Sequence, residues 1–240
     1  MKPKVNHLPG VVSLVALCSL SLSLNAHADG LAINKIYHPY VQPLERELEF
    51  RWLHYDASNS NRNQIYRLGY GQSFSEYWFF EAYIIGGKKA NDFQADAYEL
   101  EAKVQLTEQG EYASDWGALF ELEKETDQDI WEAKATLLIE SQWNKTVLAT
   151  NLGLSLEAGR DIRSEIETSL AMQLRYRYAR VFEPALELYL AQDTFGLGPM
   201  MMGDQKFGIR KKLHWELGVI AGLSDETPDV TLKALAEFEF

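Results

Sequence analysis

The chain has 240 residues, of which 35 are acidic and 23 basic, and its formal net charge is −12. Recognition of a nucleic-acid backbone needs a basic face, so this balance predicts no nucleic-acid partner. Cys18 is the single cysteine, which excludes an internal disulfide. The fold therefore has to be stabilised by backbone pairing and burial.

The first 28 residues have the pattern of a secretory signal peptide. Lys2 and Lys4 precede an apolar run over 11–24, which ends at a small-x-small cleavage pattern at 26–28. The run is too short to span a membrane as a helix. A lipoprotein signal is the alternative, but a leucine precedes Cys18 where such a signal needs a small residue. We predict that residues 1–28 are removed and that the mature protein is exported.

Alternation of apolar and polar residues dominates the rest of the chain. The stretch 98–106 places Tyr, Leu, Ala, Val and Leu on one face and Glu, Glu, Lys and Gln on the other. On a helix this order would spread charge all round, whereas a strand gains one apolar face. The pattern predicts an all-β chain of about twelve strands. The predicted strands are 44–56, 64–73, 76–87, 95–106, 115–124, 130–140, 144–157, 164–178, 184–192, 205–211, 213–223 and 230–240.

Strand length and number together predict a membrane barrel. Most of these strands have roughly the 9–11 residues that a tilted spanning strand needs, and an even number suits a closed antiparallel up-and-down transmembrane β-barrel over 44–240. Both ends then face the periplasm. The outer loops are predicted at 57–63, 87–94, 125–129, 158–163, 193–204 and 224–229, and the periplasmic turns at 74–75, 107–114, 141–143, 179–183 and 212. Prolines in 29–43 disfavour central strand pairing, so we predict a short periplasmic segment there or one that inserts into the barrel mouth.

The end of the chain resembles the last strand of bacterial outer-membrane proteins. Leu232, Ala234, Ala236, Phe238 and Phe240 form an apolar face that ends on a terminal phenylalanine. The resemblance implies a bacterial outer-membrane location, with its lipids and lipopolysaccharide as partners. It also implies that the barrel-assembly machinery reads Phe238 and Phe240. A soluble β-protein that binds an apolar ligand is the alternative, but soluble sandwiches rarely sustain strands of spanning length.

The tryptophans indicate an aromatic girdle. Trp78, Trp116 and Trp215 lie at predicted periplasmic strand starts, Trp143 lies at a periplasmic turn, and Trp131 lies near the opposite rim. Indole prefers the headgroup boundary of a bilayer. Core tryptophans of a soluble sandwich are the alternative interpretation.

Carboxylates outnumber bases on the parity that faces the interior of the predicted barrel. The predicted pore-lining residues are Glu47, Glu49, Arg51, Arg67, Glu81, Glu99, Glu101, Lys103, Glu121, Glu123, Glu132, Lys134, Glu165, Glu167, Arg175, Arg177, Glu187, Arg210, Glu216 and Lys233. Unpaired carboxylates would repel one another in a dry interior, so the surplus favours a hydrated lumen that prefers cations. We expect Gly69, Gly71, Gly153 and Gly218 on the same parity to leave space in it.

These observations predict a monomeric, narrow passive channel for small cationic or neutral solutes, with no cofactor. A non-conducting structural or interaction barrel, closed by Arg–Glu networks, is the first alternative. An outer-membrane enzyme is the second, but the His-x-Ser spacing of the twelve-stranded outer-membrane phospholipase is missing, and no catalytic residue is predicted. Metal handling is the third, because the thioethers of Met200, Met201 and Met202 in a predicted outer loop would suit Cu(I). No His or Cys accompanies them, so no metal site is predicted.

Overall fold

The computed structural model describes residues 32–56, 63–89, 92–208 and 211–240, so the predicted signal peptide lies outside the described residues. No helix in these ranges has the length and apolar character for crossing a membrane. The described chain forms twelve strands. They are β1 (Arg46–Tyr55), β2 (Gln64–Ser73), β3 (Trp78–Lys89), β4 (Asp92–Gln105), β5 (Asp115–Glu125), β6 (Ile130–Trp143), β7 (Thr146–Gly159), β8 (Glu165–Tyr176), β9 (Glu183–Leu190), β10 (Phe195–Phe207), β11 (Lys211–Gly222) and β12 (Val230–Glu239).

The strands close into one antiparallel barrel. Each pairs with its neighbours in the chain, and β1 pairs with β12, which places Glu49 opposite Glu237 and Phe50 opposite Ala236. Closure leaves no open sheet edge, and a hydrocarbon environment requires this because it offers backbone groups no partner. The predicted up-and-down barrel of twelve strands is confirmed. We call the end where β1 begins and β12 finishes the terminal end, and the opposite end the far end.

Alternation along each strand separates an apolar exterior from a charged interior. On β1, Leu48 and Phe50 are 47% and 45% exposed, whereas Glu47 and Glu49 are only 4% and 0% exposed. The other strands repeat this order. The outward apolar side chains include Leu68, Ile84, Leu100, Phe120, Leu122, Leu152, Leu154, Leu156, Ile166, Leu174, Leu186, Leu217 and Val219. An apolar belt around a polar lumen is the arrangement that lipid on the outside and water within would stabilise.

The prediction for the tenth strand is wrong. The sequence predicts a loop over 193–204 and a strand over 205–211, whereas β10 spans Phe195–Phe207. Glycine and proline are dense between Gly196 and Pro199, and this composition usually marks a loop. In β10 the absence of a side chain at Gly198 allows close strand packing, because a Cβ there would lie 1.9 Å from the carbonyl oxygen of Val219 on β11.

Several predicted connections are shorter than expected or displaced. β3 extends to Lys89, and β4 begins at Asp92. The two strands therefore occupy most of the loop predicted over 87–94. The turn predicted at 212 lies within β11, which begins at Lys211. Arg210, a predicted pore-lining residue, lies outside the described residues.

Residues 32–43, which we call the inner segment, run inside the barrel. Ile33, Ile36, Tyr37 and Val41 are 3%, 1%, 6% and 7% exposed. The chain then reverses at Leu44, whose φ is +64°, and enters β1 at the terminal end. The sequence predicts a periplasmic segment here or one that inserts into the barrel mouth. In the structure the segment lies along the lumen, because its side chains pack on the barrel wall and form hydrogen bonds to it.

The interior also contains apolar clusters that the charge pattern did not predict. Ile33 and Ile36 of the inner segment pack on a patch of the wall made by Ala149, Tyr189, Met200, Met202 and Ile220. Tyr37 packs with Leu119 and Leu138. A third cluster on the first strands contains Leu53, Ile65, Tyr83, Ile85 and Ala97. Burial of the first two clusters, which include Ile33, Ile36 and Tyr37, stabilises the inner segment in place.

The inward glycines do not leave the open space that was expected. A Cβ on Gly69 would lie 2.3 Å from the ring of Tyr83, and one on Gly218 would lie 1.7 Å from the sulfur of Met200. Larger side chains of neighbouring strands therefore occupy the room above these glycines. Their small size serves close packing inside the lumen.

Candidate functional site in the barrel lumen

The structure places the predicted pore-lining residues on the interior of the barrel. All of those in the described ranges are buried or half-buried. Arg51, Arg67 and Lys233 are no more than 4% exposed. That these residues line a conducting pore stays a prediction, because the inner segment contacts many of them.

Arg51 is the centre of the largest polar network. Its Nε atom donates to Glu49, and Nη1 donates to the side-chain oxygen of Asn34 at 2.7 Å. Nη2 donates to the hydroxyls of Tyr37 and Tyr83 at 2.9 and 2.8 Å. The planar guanidinium thus connects the wall strands β1 and β3 to the inner segment through a single side chain.

Lysine and asparagine side chains attach the inner segment at two further points. Lys35 Nζ lies 2.5 Å from a carboxylate oxygen of Glu49 and 2.9 Å from one of Glu237. Asn151 on β7 accepts from the backbone N–H of Tyr37 at 2.7 Å and donates to its carbonyl oxygen at 2.9 Å. Both backbone groups of Tyr37 are therefore satisfied by one amide, as they would be by a neighbouring strand.

The inner segment is also bound nearer the terminal end. His38 Nδ1 lies 2.5 Å from Glu140, and the hydroxyl of Tyr40 donates to Asp115 at 2.8 Å and also lies 3.1 Å from Glu140. The backbone N–H of Val41 donates to the side-chain oxygen of a glutamine on β4 at 2.8 Å. These contacts are to β4, β5 and β6, and those of Lys35 are to β1 and β12, so strands on opposite sides of the lumen hold the segment.

A second network lies on the last strands of the barrel. Lys233 Nζ is 3.1 Å from Glu187 and 3.4 Å from Glu216, and it also donates to the hydroxyl of Tyr189 at 3.1 Å. The Tyr189 hydroxyl donates to Glu187 and lies 2.7 Å from the carbonyl oxygen of Asn34. This network joins the wall to the start of the inner segment.

His214 lies on the inward face, as its parity predicts. Its two ring nitrogens lie 2.8 Å from Asp204 and 3.2 Å from Glu216. His54 faces outward, and its ring stacks on that of Trp52 with the centroids 6.0 Å apart.

An acidic cavity opens from the far end of the lumen, and we call it the vestibule. Its volume of about 90 Å³ has room for a few water molecules. Ala32 and Asn34 of the inner segment lie at its inner end. Its other lining residues are Arg67, Glu99, Glu121, Glu123, Glu132, Lys134, Ser155, Glu157, Glu167, Ser169, Ala191, Asp193 and Thr194.

A row of carboxylates crosses neighbouring strands beside the vestibule. Strand pairing sets Glu99 opposite Glu123, Glu123 opposite Glu132, Glu132 opposite Glu157, and Glu157 opposite Glu165. We call these residues the carboxylate ladder. Directly opposed like charges destabilise a sheet unless water or cations screen them. The ladder therefore calls for water, cations or protons along this wall of the vestibule.

The terminal end carries a larger cavity of about 750 Å³, which we call the terminal mouth. Gln42 and Pro43 line it, so the inner segment borders both this cavity and the vestibule. Its charged lining residues are Glu45, Arg46, Arg180, Asp204, Lys206, Lys211, Lys212 and Glu239. Bases outnumber acids here, which is the reverse of the charge balance in the vestibule.

Glu45 of the terminal mouth makes barrel stability depend on pH. Burial raises the pKa of Glu45 to about 7, with Glu239 and Glu237 adding to the rise and Lys103 and Lys212 opposing it. The folded barrel thus binds this proton more tightly than the unfolded chain, so Glu45 favours folding at low pH. That contribution is lost as the pH rises through about 7.

We expect the temperature at which the folded gel band converts to the unfolded one to fall between about pH 5 and pH 8. Glu45→Gln should make this fall less steep, whereas Glu111→Gln, at an exposed position, should leave it unchanged. An equally steep fall in Glu45→Gln would contradict the assignment.

The predicted girdle residues lie on the outer surface or near it. Trp78, Trp116 and Trp143 stand at terminal-end positions of their strands, Trp131 stands at the far end, and these four are 39%, 38%, 57% and 46% exposed. Trp215 is half-buried and lies further inside its strand. Their part in anchoring the barrel stays a prediction.

The three methionines do not form a metal site. Met200 and Met202 are each 1% exposed and belong to the interior apolar cluster, whereas Met201 faces outward and is 39% exposed. Because the strand sends them to opposite sides of the wall, their thioethers cannot converge on one ion. The metal-handling alternative therefore loses its basis.

Comparison with known proteins identifies the fold. No family model matches the chain, and no curated protein sequence is similar to it. The structure resembles the COG4313 outer membrane channel of Pseudomonas putida F1, with a TM-score of 0.57 and 12% identity over 87% of this chain and 100% of that one. It also resembles the KdgM porin, with a TM-score of 0.54 and 12% identity over 81% and 99% of the two chains. This is the fold of bacterial outer-membrane β-barrels. The apolar belt of the barrel agrees with the predicted outer-membrane location.

The sequence analysis missed the polar residues of the inner segment. Asn34, Lys35, Tyr37, His38 and Tyr40 all bind the wall, whereas the prolines of 29–43 indicate only that the segment is not a central strand. The signal was present as a dense series of hydrogen-bonding side chains between and after the buried Ile33 and Ile36. Its partners are far away in the chain, so spacing within the segment could not identify them.

Proposed function

We propose that the chain is a narrow passive channel of the outer membrane for small cationic or neutral solutes, constricted from within by the inner segment. The vestibule supports this proposal most directly, since its lining carries seven carboxylates, named above, against Arg67 and Lys134. A cavity with this charge balance concentrates cations and repels anions. Solutes would enter at the far end and meet the inner segment before the terminal mouth.

The size of the open space limits the solutes. Twelve strands enclose more than the filled interior of an eight-stranded barrel and much less than a porin of sixteen strands. The inner segment and the interior apolar clusters occupy much of that space. We therefore propose passage of ions and small neutral molecules, and we propose that acidic oligosaccharides are excluded by the carboxylate ladder.

Ion selectivity tests the proposal. In planar bilayers, the purified barrel should conduct and show a higher permeability for K⁺ than for Cl⁻. Glu123→Gln/Glu132→Gln removes the middle of the carboxylate ladder and should lower the K⁺/Cl⁻ permeability ratio about twofold. The control is Glu111→Gln, which removes a carboxylate from an exposed connection at the other end. Anion preference of the unmodified barrel would contradict the proposal.

A non-conducting barrel is the second candidate function, and one observation favours it. The inner segment is bound to the wall at both ends, by Asn34 to Arg51 at 2.7 Å and by Tyr40 to Asp115 at 2.8 Å. If it never leaves this position, the barrel would serve as a structural or interaction protein. Absence of current both from the unmodified barrel and from a variant without the inner segment would establish this candidate.

A further inference from the structure

Three carboxylates of adjacent strands converge where the vestibule meets the inner segment. Glu99 and Glu101 stand two residues apart on β4 and share its inward face, and Glu121 lies directly opposite Glu101 on β5. One carboxylate oxygen from each lies within 4.8 Å of the other two. The three residues are 4%, 3% and 8% exposed. Their oxygens are therefore held near one another by the wall itself.

One oxygen of this cluster is buried without a hydrogen-bond partner. Glu101 Oε1 accepts from the hydroxyl of Tyr37 at 2.6 Å, whereas Glu101 Oε2 is buried and accepts nothing. An unsatisfied, buried carboxylate oxygen is costly, and far more so when it carries charge. Its position among two other carboxylates therefore calls for a cation or a proton.

The neighbouring bases satisfy only part of the cluster. Arg67 Nη1 donates to Glu99 Oε1 at 2.6 Å, and Lys134 Nζ lies 3.4 Å from Glu121 Oε2. The hydroxyl of Thr136 lies 3.3 Å from that same oxygen. Arg51 Nη2 also lies 3.8 Å from Glu101 Oε1, but Arg51 is shared with Glu49, and Arg67 is shared with Glu123 at 3.6 Å. These shared bases neutralise the cluster only in part, and the carboxylate ladder alongside adds negative charge.

A second carboxylate cluster shows how such a site is neutralised when the protein supplies the charges. Glu47, Glu49 and Glu81 have oxygens at the same mutual spacing. There, Lys35 Nζ lies 2.5 Å from Glu49, and Arg51 donates to the other Glu49 oxygen. This cluster therefore has its cations built in. Glu101 Oε2 has no counterpart to them.

We propose that Glu99, Glu101 and Glu121 bind a Ca²⁺ ion that enters from the vestibule. The donors are all carboxylate oxygens, which suit a hard divalent cation and not a soft transition metal. Glu99 and Glu121 line the vestibule, so water there can fill the remaining coordination positions. Glu101 would bind the ion through Oε2 while Oε1 keeps its hydrogen bond to Tyr37, which connects the ion to the inner segment.

Direct binding to the purified, folded full-length barrel tests this proposal without any need for conduction. After treatment with EDTA, equilibrium dialysis with radioactive Ca²⁺ should show uptake of one ion per barrel. Tb³⁺ should bind competitively with Ca²⁺ and luminesce on excitation of nearby tyrosine. Glu101→Gln and Glu121→Gln should each weaken Ca²⁺ binding on the order of tenfold, because each removes a charged ligand.

Glu111→Gln is the matched control, because it removes an exposed carboxylate from the connection between β4 and β5, away from both the proposed site and the carboxylate ladder, and should leave Ca²⁺ binding intact. Ca²⁺ should also raise the heat-conversion temperature of the unmodified barrel, so the proposal can be tested even if a ligand variant does not fold. A shared proton at Glu101 is the competing explanation. It predicts no Ca²⁺ uptake at millimolar concentration and no effect of EDTA on that temperature, and this result would overturn the proposal.

Discussion

Deletion of residues 32–41 should increase the single-channel conductance of the barrel on the order of tenfold, since it removes the material between the vestibule and the terminal mouth. The deletion keeps Gln42, Pro43 and Leu44, so the reversal at the terminal end can still form. It also removes Lys35, and the carboxylates of Glu49 and Glu237 then lose a partner. Conductance in planar bilayers measures the expected increase.

Selectivity provides a second readout for the same deletion. Without Lys35 the lumen becomes more negative, so the preference for K⁺ over Cl⁻ should rise along with conductance. A variant in which 32–41 is replaced by Gly-Ser repeats serves as the control for chain length. It loses every side chain that binds the wall, and its conductance should therefore lie above that of the unmodified barrel and fluctuate as the loose segment moves.

A folded deletion variant with unchanged conductance would show that the inner segment does not constrict the path. Folding has to be established first, by the shift between folded and heat-treated bands on a gel. The interior apolar cluster around Met200 and Ile220 loses Ile33 and Ile36 in this variant. We therefore expect a lower conversion temperature, and the conductance is to be compared well below it.

The fold could be predicted from the sequence because its main rule is local. In β4, alternate residues face lipid or lumen, so nine consecutive residues from Tyr98 already define both surfaces. Closure was predictable from strand number and from the apolar last strand. β10 could not be predicted in this way, because the role of Gly198 depends on the approach of β11, which no pattern within β10 reveals.

Only those residues of the site that belong to the barrel wall could be predicted from the sequence. Parity placed Glu99, Glu101 and Glu121 on the interior, but it could not show that strand register brings their oxygens together. The contacts of the inner segment were even less predictable. Asn151 binds Tyr37 across 114 positions of the sequence, and such a contact becomes evident only when the barrel is closed.

Replacement of Arg51 by alanine should destabilise the barrel by about 3–5 kcal/mol, the usual cost of leaving a buried charge without its partner. Arg51 is 2% exposed. Its side chain donates to Glu49 and to the hydroxyls of Tyr37 and Tyr83, and so connects all three groups. Its loss leaves Glu49 with Lys35 alone. Unfolding by urea in lipid vesicles measures the change in free energy.

Arg160→Ala is the matched control for Arg51→Ala. Arg160 pairs with Asp129 at 2.5 Å between far-end connections, but its side chain is 87% exposed, and water and salt screen such a pair. We expect no measurable change in the free energy of unfolding there. Arg51→Lys should recover only part of the loss, because an ammonium group cannot reproduce the planar set of donors that Arg51 presents to Glu49, Asn34 and the two tyrosines. Equal stability of Arg51→Ala and Arg160→Ala would mean that water replaces the guanidinium in the lumen, and that the inner segment is held mainly by its apolar contacts.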